Sequence, residues 1–482
     1  MSTHVFRAVL LFALLPATTP AQGPADERAE KIGELLAAYH DLGQFNGSAL
    51  VADGGQLFLK KGYGLANMEW QVPNSPDTRF RLGSITKQFT AALVLQQVAK
   101  GKLRLDGRLS DYLPDYRKDT GEKVTLHHLL THTSGIPSYT SGPDIVEIGR
   151  DPHEVAEFVK TYCSGDLQFD PGSRFTYNNS GYFLLGAILE KTTGQRYERL
   201  LQESILDPLG MKDTGYDHHE TVLARRAAGY EKSLTGGYRN AGYLDMSVPY
   251  AAGSLFSTVE DLFRWDQALY GEAVLSATSK GVMFKPFLQH YAYGWTVSTA
   301  AADGPDAGAT LIGHEGGING FNTLLLRLVD RHGLIVLLNN TGGAPLSRMA
   351  AGIRAILAGK DYPRPRRSIA EAIAPVFLES GPAAGAARYR ELKAADPEAY
   401  DFTEPVLNNL GYRLMAEGKL PEAIEVFKLN VEAYPAAANT YDSLGEAYLK
   451  AGQKDLAIVN YRRSLELNKD NKNAADALKK LQ

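Results

Sequence analysis

The chain has 482 residues, of which 44% are hydrophobic and 22% are charged, and its formal net charge is −4. A chain of this length is expected to form two or three domains. The near balance of acidic and basic residues gives no electrostatic reason to expect nucleic acid or an anionic membrane surface as a partner.

The N-terminus has the pattern of a secretory signal. Arg7 precedes a short apolar run at residues 8–15, AVLLFALL, and small residues then lead to Ala21. This arrangement predicts a signal peptide over residues 1–21, cleaved before Gln22, and the apolar run is too short for a transmembrane anchor. A buried N-terminal helix is the alternative, but the polar PADERAEK that follows disfavours it. We therefore expect an exported protein, periplasmic or secreted.

Two distant segments have the pattern of β-hairpins. Residues 47–64, GSALVADGGQLFLKKGYG, contain two strand-like runs separated by Asp-Gly-Gly, and residues 321–338 contain FNTLLLRLV and LIVLL separated by DRHG. The sequence between these segments is mostly helical or loop-like. A sheet built from both ends of a region, with helices inserted between them, predicts an α+β domain over residues 22–358. We expect an antiparallel sheet flanked by helices, plus a mostly helical lobe.

The C-terminal part repeats itself with an offset of 34 residues. LNNLGYRLMAEGKLPEAIEVF from Leu407 aligns with YDSLGEAYLKAGQKDLAIVNY from Tyr441, which pairs Gly411 with Gly445. This period resembles that of tetratricopeptide repeats. It predicts an all-α repeat domain with a capping helix over residues 401–482, after a linker and a degenerate helical unit at residues 359–400. Such repeats offer a surface to a possible protein partner, whereas unrelated amphipathic helices are the alternative.

A serine and a lysine stand at the start of an apolar segment. Residues 81–97, RLGSITKQFTAALVLQQ, place Ser84 at the beginning of a predicted buried helix and Lys87 one turn later on the same face. A serine hydroxyl needs a neighbouring base to act as a nucleophile, and a lysine can be that base when burial suppresses its charge. The alternative is that Ser84 only caps the helix and Lys87 extends to solvent.

Two later motifs favour the nucleophile interpretation. FTYNNSGYFLLG carries Tyr177 and Asn179, and GHEGGINGF carries His314 and Gly316 at the edge of the second hairpin. Ser-x-x-Lys, Tyr-x-Asn and His-x-Gly, in this order, resemble the serine β-lactamases and penicillin-binding hydrolases of the class C type. That superfamily also includes D,D-carboxypeptidases, D-aminopeptidases and family VIII carboxylesterases. Two more segments are similar to segments of the family, TLHHLLTHTSGIP (125–137) and AAGSLFSTVEDLFRW (251–265).

The resemblance implies a β-lactamase/transpeptidase-like fold and a catalytic trio. Ser84 would be the nucleophile that becomes acylated. Lys87 and Tyr177 would share the proton that Ser84 loses and the leaving group receives, and the sequence does not divide that work between them. Water would then hydrolyse the acyl-enzyme, and no cofactor is implied.

The resemblance also implies substrate-binding residues. Asn179 would hold a substrate carbonyl or amide, and His314 stands where many relatives have lysine. Gly316 and Gly317 would let the substrate lie against the strand. The backbone N–H of Gly317 would join that of Ser84 as an oxyanion donor.

The triplet His-Glu-Gly departs from the Lys-Thr-Gly that relatives usually offer to a substrate carboxylate. His314 is expected to be only partly charged near neutral pH. Glu315 would repel a carboxylate if it faced the site, although strand alternation can turn it away. This departure favours esterase or peptidase activity over efficient β-lactam hydrolysis. Arg239 and Arg327 are the candidates for a replacement cation.

Two other patterns suggest a different tyrosine motif and a metal site. Tyr238 and Asn240 form a second Tyr-x-Asn, but no apolar helix follows it, so we expect Tyr238 to be a loop aromatic lining the cleft. His128 and His132 have the helical spacing of a zinc pair. They lack the H-E-x-x-H pattern and an evident third ligand, so no metal is expected.

The sequence therefore predicts an exported serine hydrolase that forms an acyl-enzyme on Ser84 and hydrolyses an ester, amide or β-lactam bond in a small-molecule or peptide substrate. One alternative is a D,D-carboxypeptidase or D-aminopeptidase acting on cell-wall peptides. Another is a non-catalytic penicillin-binding sensor, or an adaptor acting through its repeats. The presence of Ser84, Lys87 and Tyr177 together favours an enzyme.

Overall fold

The computed structural model describes residues 27–142 and 145–481. The signal peptide predicted over residues 1–21 lies outside the described residues. Within the two described ranges, none of the helices combines the length and hydrophobicity that a bilayer crossing requires.

The strands of the described residues form one large sheet and several two- or three-stranded ribbons. In chain order they are β1 (Gly47–Asp53), β2 (Gln56–Tyr63), β3 (Leu65–Asn67), β4 (Val72–Pro73), β5 (Phe80–Arg81), β6 (Gly215–Tyr216), β7 (Tyr230–Lys232), β8 (Tyr238–Asn240), β9 (Leu255–Ser257), β10 (Thr296–Thr299), β11 (Thr310–Ile318), β12 (Phe321–Leu328), β13 (Gly333–Asn339), β14 (Arg367–Ser368) and β15 (Tyr400–Asp401).

The large sheet has the strand order β10-β11-β12-β13-β1-β2, and each neighbouring pair is antiparallel. Both hairpins predicted from the sequence are present, as β1–β2 and β12–β13. They join where β1 lies beside β13, with Ala49 opposite Leu337. The two ends of the α+β region therefore meet at the centre of one sheet.

Both faces of this sheet are covered. Successive residues of β1 and β13 alternate between two hydrophobic clusters: Leu50 and Val336 face one cluster, and Val51 and Leu337 face the other. This arrangement explains why GSALVAD reads as a continuous apolar run rather than an alternating one. The sheet is therefore the middle layer of the α+β region.

The helices of the α+β region cover the sheet and build a separate lobe. They are α1 (Glu27–Asp41), α2 (Thr86–Ala99), α3 (Leu109–Tyr112), α4 (Lys118–Gly121), α5 (Leu126–Leu130), α6 (Ile145–Ile148), α7 (Val155–Tyr162), α8 (Asn179–Thr193), α9 (Tyr197–Leu201), α10 (Asp207–Leu209), α11 (Tyr250–Gly253), α12 (Val259–Ala268), α13 (Ala277–Met283) and α14 (Leu346–Leu357).

Helices α2 and α8 lie in the interior, as their apolar sequences predict. Phe89 and Leu93 of α2, and Phe183 and Leu185 of α8, are all fully buried. A helix that is apolar on every side has no polar face to give to solvent and must be surrounded by protein. The residues at the N-terminal ends of α2 and α8 are therefore held in fixed positions.

The C-terminal part is helical, and we call residues 369–481 the C-terminal helical region. Its helices are α15 (Ile369–Ala395), interrupted at Gly381, α16 (Glu404–Ala416), α17 (Leu420–Ala433), α18 (Ala438–Lys450), α19 (Lys454–Leu467) and α20 (Lys472–Leu481).

The repeat seen in the sequence is visible as repeated packing. A Cβ atom on Gly411 would lie 2.5 Å from the ring of Phe427, and one on Gly445 would lie 3.0 Å from the ring of Tyr461. Each glycine thus lets two helices approach closely at equivalent positions of the repeat. The assignment to the tetratricopeptide type and the domain boundaries stay predictions.

Candidate active site

Ser84 lies on a short 3-10 turn, Gly83–Ile85, that leads directly into α2. Its Oγ is 3.0 Å from the Nζ of Lys87, one turn further along. Gly83 has a φ of 56°, which favours glycine, and a Cβ atom there would lie 2.8 Å from the carbonyl oxygen of Gly317 on β11. The glycine therefore lets the sheet edge touch the turn that carries Ser84.

Lys87 is fully buried, and burial holds the pKa of its amine well below the ordinary lysine value. Besides Ser84, its Nζ contacts the carbonyl oxygen of Ala252 and the Oδ1 of Asn179, both at 2.9 Å. Those two oxygens can only accept hydrogen bonds. A neutral amine has two N–H donors for them and one lone pair, which leaves the lone pair for the hydroxyl proton of Ser84. The surroundings of Lys87 therefore match its neutral, basic form.

Tyr177 is the third member of the group. Its ring centre lies 4.9 Å from the Nζ of Lys87, and Ser84 is close enough to the phenol to lower its pKa slightly. The residue as a whole is 38% exposed, but the desolvation acts on its inward-facing hydroxyl and raises the pKa of the phenol. Tyr177 is therefore protonated near neutral pH and able to donate its proton.

The loop that carries Tyr177 and Asn179 is held by the segment THTSGIP (131–137). The backbone N–H of Thr176 donates to the carbonyl of His132 at 2.9 Å, and that of Asn178 donates to His132 Nδ1 at 3.1 Å. The hydroxyl of Ser180 donates to the carbonyl of Pro137 at 2.8 Å. Asn178 also caps α8 by accepting from a backbone N–H. Resemblance selects this segment in the sequence and a structural hydrogen bond is expected for His132, which the bond to Asn178 confirms.

The glycines of β11 have different surroundings. A Cβ atom on Gly316 would lie 1.9 Å from the carbonyl oxygen of Leu82, so Gly316 is required for the sheet to pack against the Ser84 turn. A Cβ atom on Gly317 would meet nothing within 4 Å, because Gly317 faces open space. Gly317 thus lines the cleft beside Ser84 with its backbone, while strand alternation puts its Cβ position on the Glu315 face.

His314 is 8% exposed and is not among the residues that line the cleft beside Ser84. Its Nδ1 lies 2.5 Å from the carbonyl oxygen of Glu315 and therefore carries the proton, while its Nε2 accepts from the Tyr291 hydroxyl at 2.9 Å. Burial, with Lys87 nearby, lowers the pKa of His314 to about 4. The ring is therefore neutral near pH 7, more completely than the sequence suggested.

Glu315 points away from Ser84. Its carboxylate accepts a hydrogen bond from Ser347 and borders a different cavity on the other side of the strand. Strand alternation therefore removes this carboxylate from the site, so the repulsion considered in the sequence does not arise.

A cleft of about 580 Å³ opens beside Ser84, between the sheet edge and the helical lobe. Its walls are mostly apolar or neutral, and the charged side chains that line it among the described residues are those of Glu231 and Arg239. Arg327 lies elsewhere: it is buried, and its Nε is 2.6 Å from Asp266 Oδ1. Of the two candidate cations, Arg239 therefore borders the cleft and Arg327 serves the core.

The second Tyr-x-Asn lies on β8 rather than on a loop. Tyr238 donates a hydrogen bond to the carbonyl of Gly43 at 3.3 Å and is not a cleft-lining residue, whereas its neighbours Arg239 and Asn240 are. Tyr238 is therefore not the loop aromatic lining the cleft that the sequence predicts.

The histidine pair is used for structure. His132 lies beyond the end of α5 with a φ of 58°, and its ring is 4.3 Å from that of Tyr177. His128 caps the start of α5 together with Thr125. Within residues 27–142 and 145–481, no three His, Cys, Asp or Glu side chains are placed to hold a metal ion together.

Comparisons with known proteins show the family to which this fold belongs. The sequence model of the family described as Beta-lactamase matches residues 33–358. Penicillin-binding protein 4* of Bacillus subtilis is 29% identical over 330 residues, which cover 64% of this chain and 70% of that protein.

Solved structures share the fold. A penicillin binding protein from Bacillus halodurans matches with a TM-score of 0.57 and 26% identity, over 67% of this chain and 97% of that one. The D-amino acid amidase from Ochrobactrum anthropi SV3 matches with a TM-score of 0.59 and 25% identity, over 69% of this chain and 99% of that one. Because the family match spans more than half of the sequence, the chain belongs to the beta-lactamase family, whose fold is that of serine hydrolases related to penicillin-binding proteins and D-amino acid amidases.

Proposed function

We propose that this protein is an exported serine hydrolase that forms an acyl-enzyme on Ser84 and hydrolyses esters or amides in preference to β-lactams. The observation that carries the proposal is the buried amine of Lys87, which lies 3.0 Å from Ser84 Oγ and whose other two partners are acceptors only. A hydroxyl in this position has a base ready to take its proton.

The reaction begins when Ser84 Oγ attacks the substrate carbonyl carbon and its proton moves to Lys87. The N–H groups of Ser84 and Gly317 stabilise the oxyanion that forms. The phenol of Tyr177 protonates the leaving group as the bond to the carbonyl carbon breaks, and Lys87 returns a proton to the phenol. Water then attacks the acyl carbonyl, which releases the acid and restores Ser84. Asn179 holds Lys87 in place and has its amide within reach of the substrate.

The preference for esters and amides follows from the β11 edge. Where many relatives have lysine, His314 is buried and neutral, so it supplies no charge to a penicillin carboxylate. Gly316 is occupied by packing against Leu82, so the backbone of Gly317 is the part of this edge that borders the cleft.

The experiment compares the chain with Ser84→Ala on four reagents: p-nitrophenyl butyrate, D-alanine p-nitroanilide, nitrocefin and a fluorescent penicillin. We expect Ser84-dependent turnover of the ester and the amide, with nitrocefin cleaved more slowly than either. Nitrocefin cleavage faster than ester cleavage would contradict the preference. Stable penicillin labelling without turnover would favour a D,D-carboxypeptidase or a sensor, and no signal with any reagent would favour an adaptor acting through a protein partner at the C-terminal helical region.

The second candidate is a D-aminopeptidase or D,D-carboxypeptidase acting on cell-wall peptides. The carboxylate of Glu231 and the guanidinium of Arg239 favour it, because both line the cleft and suit the charged ends of short peptides. Release of free D-alanine from a D-alanyl-D-alanine peptide would indicate a D,D-carboxypeptidase. Release of free D-alanine from D-alanine amide would indicate a D-aminopeptidase.

A further inference from the structure

The β7–β8 ribbon links the cleft to the C-terminal helical region. Its two strands pair with Tyr230 opposite Asn240 and Glu231 opposite Arg239. The base of the ribbon is attached to the catalytic part, since the N–H of Tyr230 donates to the carbonyl of Asn340 at 3.0 Å. The ribbon leaves the catalytic part from this base.

Part of the ribbon forms a wall of the Ser84 cleft. Glu231, Arg239 and Asn240 line the cavity, and Arg239 Nη2 lies 3.1 Å from Glu231 Oε2. This wall carries a carboxylate, a guanidinium and an amide, which together suit the hydrogen-bonding groups of a peptide-like substrate.

The tip of the ribbon is held by the C-terminal helical region. Leu234 is 3% exposed and belongs to the hydrophobic cluster of that region. Arg413 of α16 donates to the carbonyl of Lys232 at 2.6 Å, and Glu371 of α15 forms an ion pair with the Lys232 amine. Glu417, just beyond α16, lies 3.9 Å from Arg239 on the cleft wall itself.

A ribbon of this size needs such support. Two short paired strands alone are marginally stable in water, and these strands have three residues each. The tip between them contains Gly236 and Gly237, both with positive φ and with open space around the Cβ position, so it has no packing of its own there. The contacts from α15 and α16 therefore hold the tip, in addition to the bonds of Tyr230 and Tyr238 with the catalytic part.

We propose that the C-terminal helical region is a specificity element of the hydrolase: by holding the β7–β8 ribbon, it positions the wall that contacts the peptide-like part of the substrate beyond the scissile carbonyl. This inference rests on the proposed function. It assigns the helical region a task inside the enzyme, in addition to any partner that it binds.

The test uses the full chain with Leu234→Ala combined with Arg413→Ala. The control is Arg390→Ala, which removes an ion pair with Glu432 in the same helical region, away from the ribbon. For a p-nitrophenyl ester of a tripeptide, we expect KM to rise about tenfold in the double variant with kcat changed by less than about twofold, because binding that is equal in ground and transition states is lost. For p-nitrophenyl acetate, which is too small to reach the wall, KM and kcat should match those of the control.

Hydrogen exchange supplies a readout that does not depend on activity. The amides of residues 230–241 should exchange at least about tenfold faster in the double variant than in the control, because local opening becomes easier. Unchanged exchange would show that the helical region does not hold the ribbon. Faster exchange with equal KM changes for both esters would show that the ribbon does not select substrate. If the unmodified chain hydrolyses neither ester, the proposed function fails and the specificity inference fails with it. Labelling of Ser84 by a phosphonate probe would then indicate a wrong substrate class, and absence of labelling would indicate an inert site.

Discussion

The charge state of Lys87 is the residue-scale property on which the chemistry depends. Burial lowers the pKa of this amine, so it is neutral and basic above the lowered pKa and protonated below it. The rate of Ser84 acylation should therefore rise with pH through that pKa and then stay level until another group titrates. An arginine at this position would keep the positive charge and remove the base, since a guanidinium does not lose its proton in proteins.

We expect Lys87→Arg to lower the acylation rate with p-nitrophenyl butyrate about 10²- to 10⁴-fold, the range that general base catalysis contributes. The control is Lys102→Arg, at an exposed lysine after the end of α2. Pre-steady-state release of p-nitrophenol between pH 5 and 9 measures the rate. An acylation rate that stays within about tenfold of the control would mean that another group is the base.

His314 gives a residue-scale prediction about stability. Its pKa is lowered to about 4 in the folded chain, against about 6.5 for an unperturbed histidine. Above pH 6.5 both states are neutral, and below it the unfolded state gains the proton first, so the folded state loses stability until the buried ring protonates as well. The loss therefore builds up as the pH falls from about 6.5 to about 4 and reaches roughly 3 kcal/mol.

His314→Gln should flatten this loss, because glutamine keeps a donor and an acceptor for Glu315 and Tyr291 but does not titrate. Urea unfolding at pH 7 and pH 4.5 gives the difference in free energy of unfolding for each form. We expect that difference to be smaller in the variant by roughly 2 kcal/mol or more, while the exposed His219→Gln control retains the wild-type difference. Equal differences in all three proteins would mean that His314 is not the titrating group.

At the scale of elements, strand β11 places two neighbouring glycines in opposite environments. Gly316→Ala would force a Cβ atom to within 1.9 Å of the Leu82 carbonyl oxygen, whereas Gly317→Ala adds a methyl group in open space. We expect Gly316→Ala to destabilise the chain by about 1–3 kcal/mol through overpacking. Gly317→Ala should unfold at the wild-type temperature and keep its kcat/KM, because strand alternation puts its methyl group on the Glu315 face, away from Ser84.

Thermal unfolding and ester kinetics on the two alanine variants check this division. Each variant serves as the control of the other, since both change one glycine to alanine on the same strand. Loss of stability in Gly317→Ala, or normal stability in Gly316→Ala, would mean that the two positions have been assigned to the wrong faces.

The elements also show which parts of the structure the sequence could predict. The hairpins at 47–64 and 321–338 are local patterns of apolar runs and turn residues, and the sequence is enough to place them. The pairing of the two hairpins in one sheet, with Ala49 opposite Leu337, depends on a contact between distant segments that no local pattern encodes. The same holds for Ser84, Lys87 and Tyr177: residue order and resemblance selected them, but only the fold shows that they touch.

The details that the sequence misjudged or left open are those that depend on distant partners. The neutrality of His314 follows from burial and from a bond with Tyr291, 23 residues earlier in the chain. The position of Arg239 on the cleft wall follows from a ribbon that α16 supports. Neither the neutrality of His314 nor the position of Arg239 can be recognised from the residues next to it in the sequence. A segment such as THTSGIP can be selected by its resemblance to the family, but its support of the Tyr177 loop is seen only in the hydrogen bonds.

At the scale of the whole molecule, hydrophobic burial is divided between two bodies. Two clusters cover the faces of the large sheet, and a third fills the C-terminal helical region. Among the described residues, the third cluster contains one buried residue from the catalytic part, Leu234. Polar contacts such as the ion pair of Arg348 with Asp401 add to the junction. Cores joined by so few apolar contacts are expected to unfold as separate cooperative units.

Differential scanning calorimetry of the full chain should therefore resolve two transitions. Leu410→Ala removes a buried side chain from the helical cluster, and Leu93→Ala removes one from the catalytic cluster. Each substitution should destabilise its own body by about 2–5 kcal/mol, the usual cost of a leucine cavity. We expect each to lower one transition and to move the other by much less, since within residues 27–142 and 145–481 the ribbon and a small number of polar contacts couple the two bodies. A single transition that both substitutions lower equally would mean that the two bodies unfold as one.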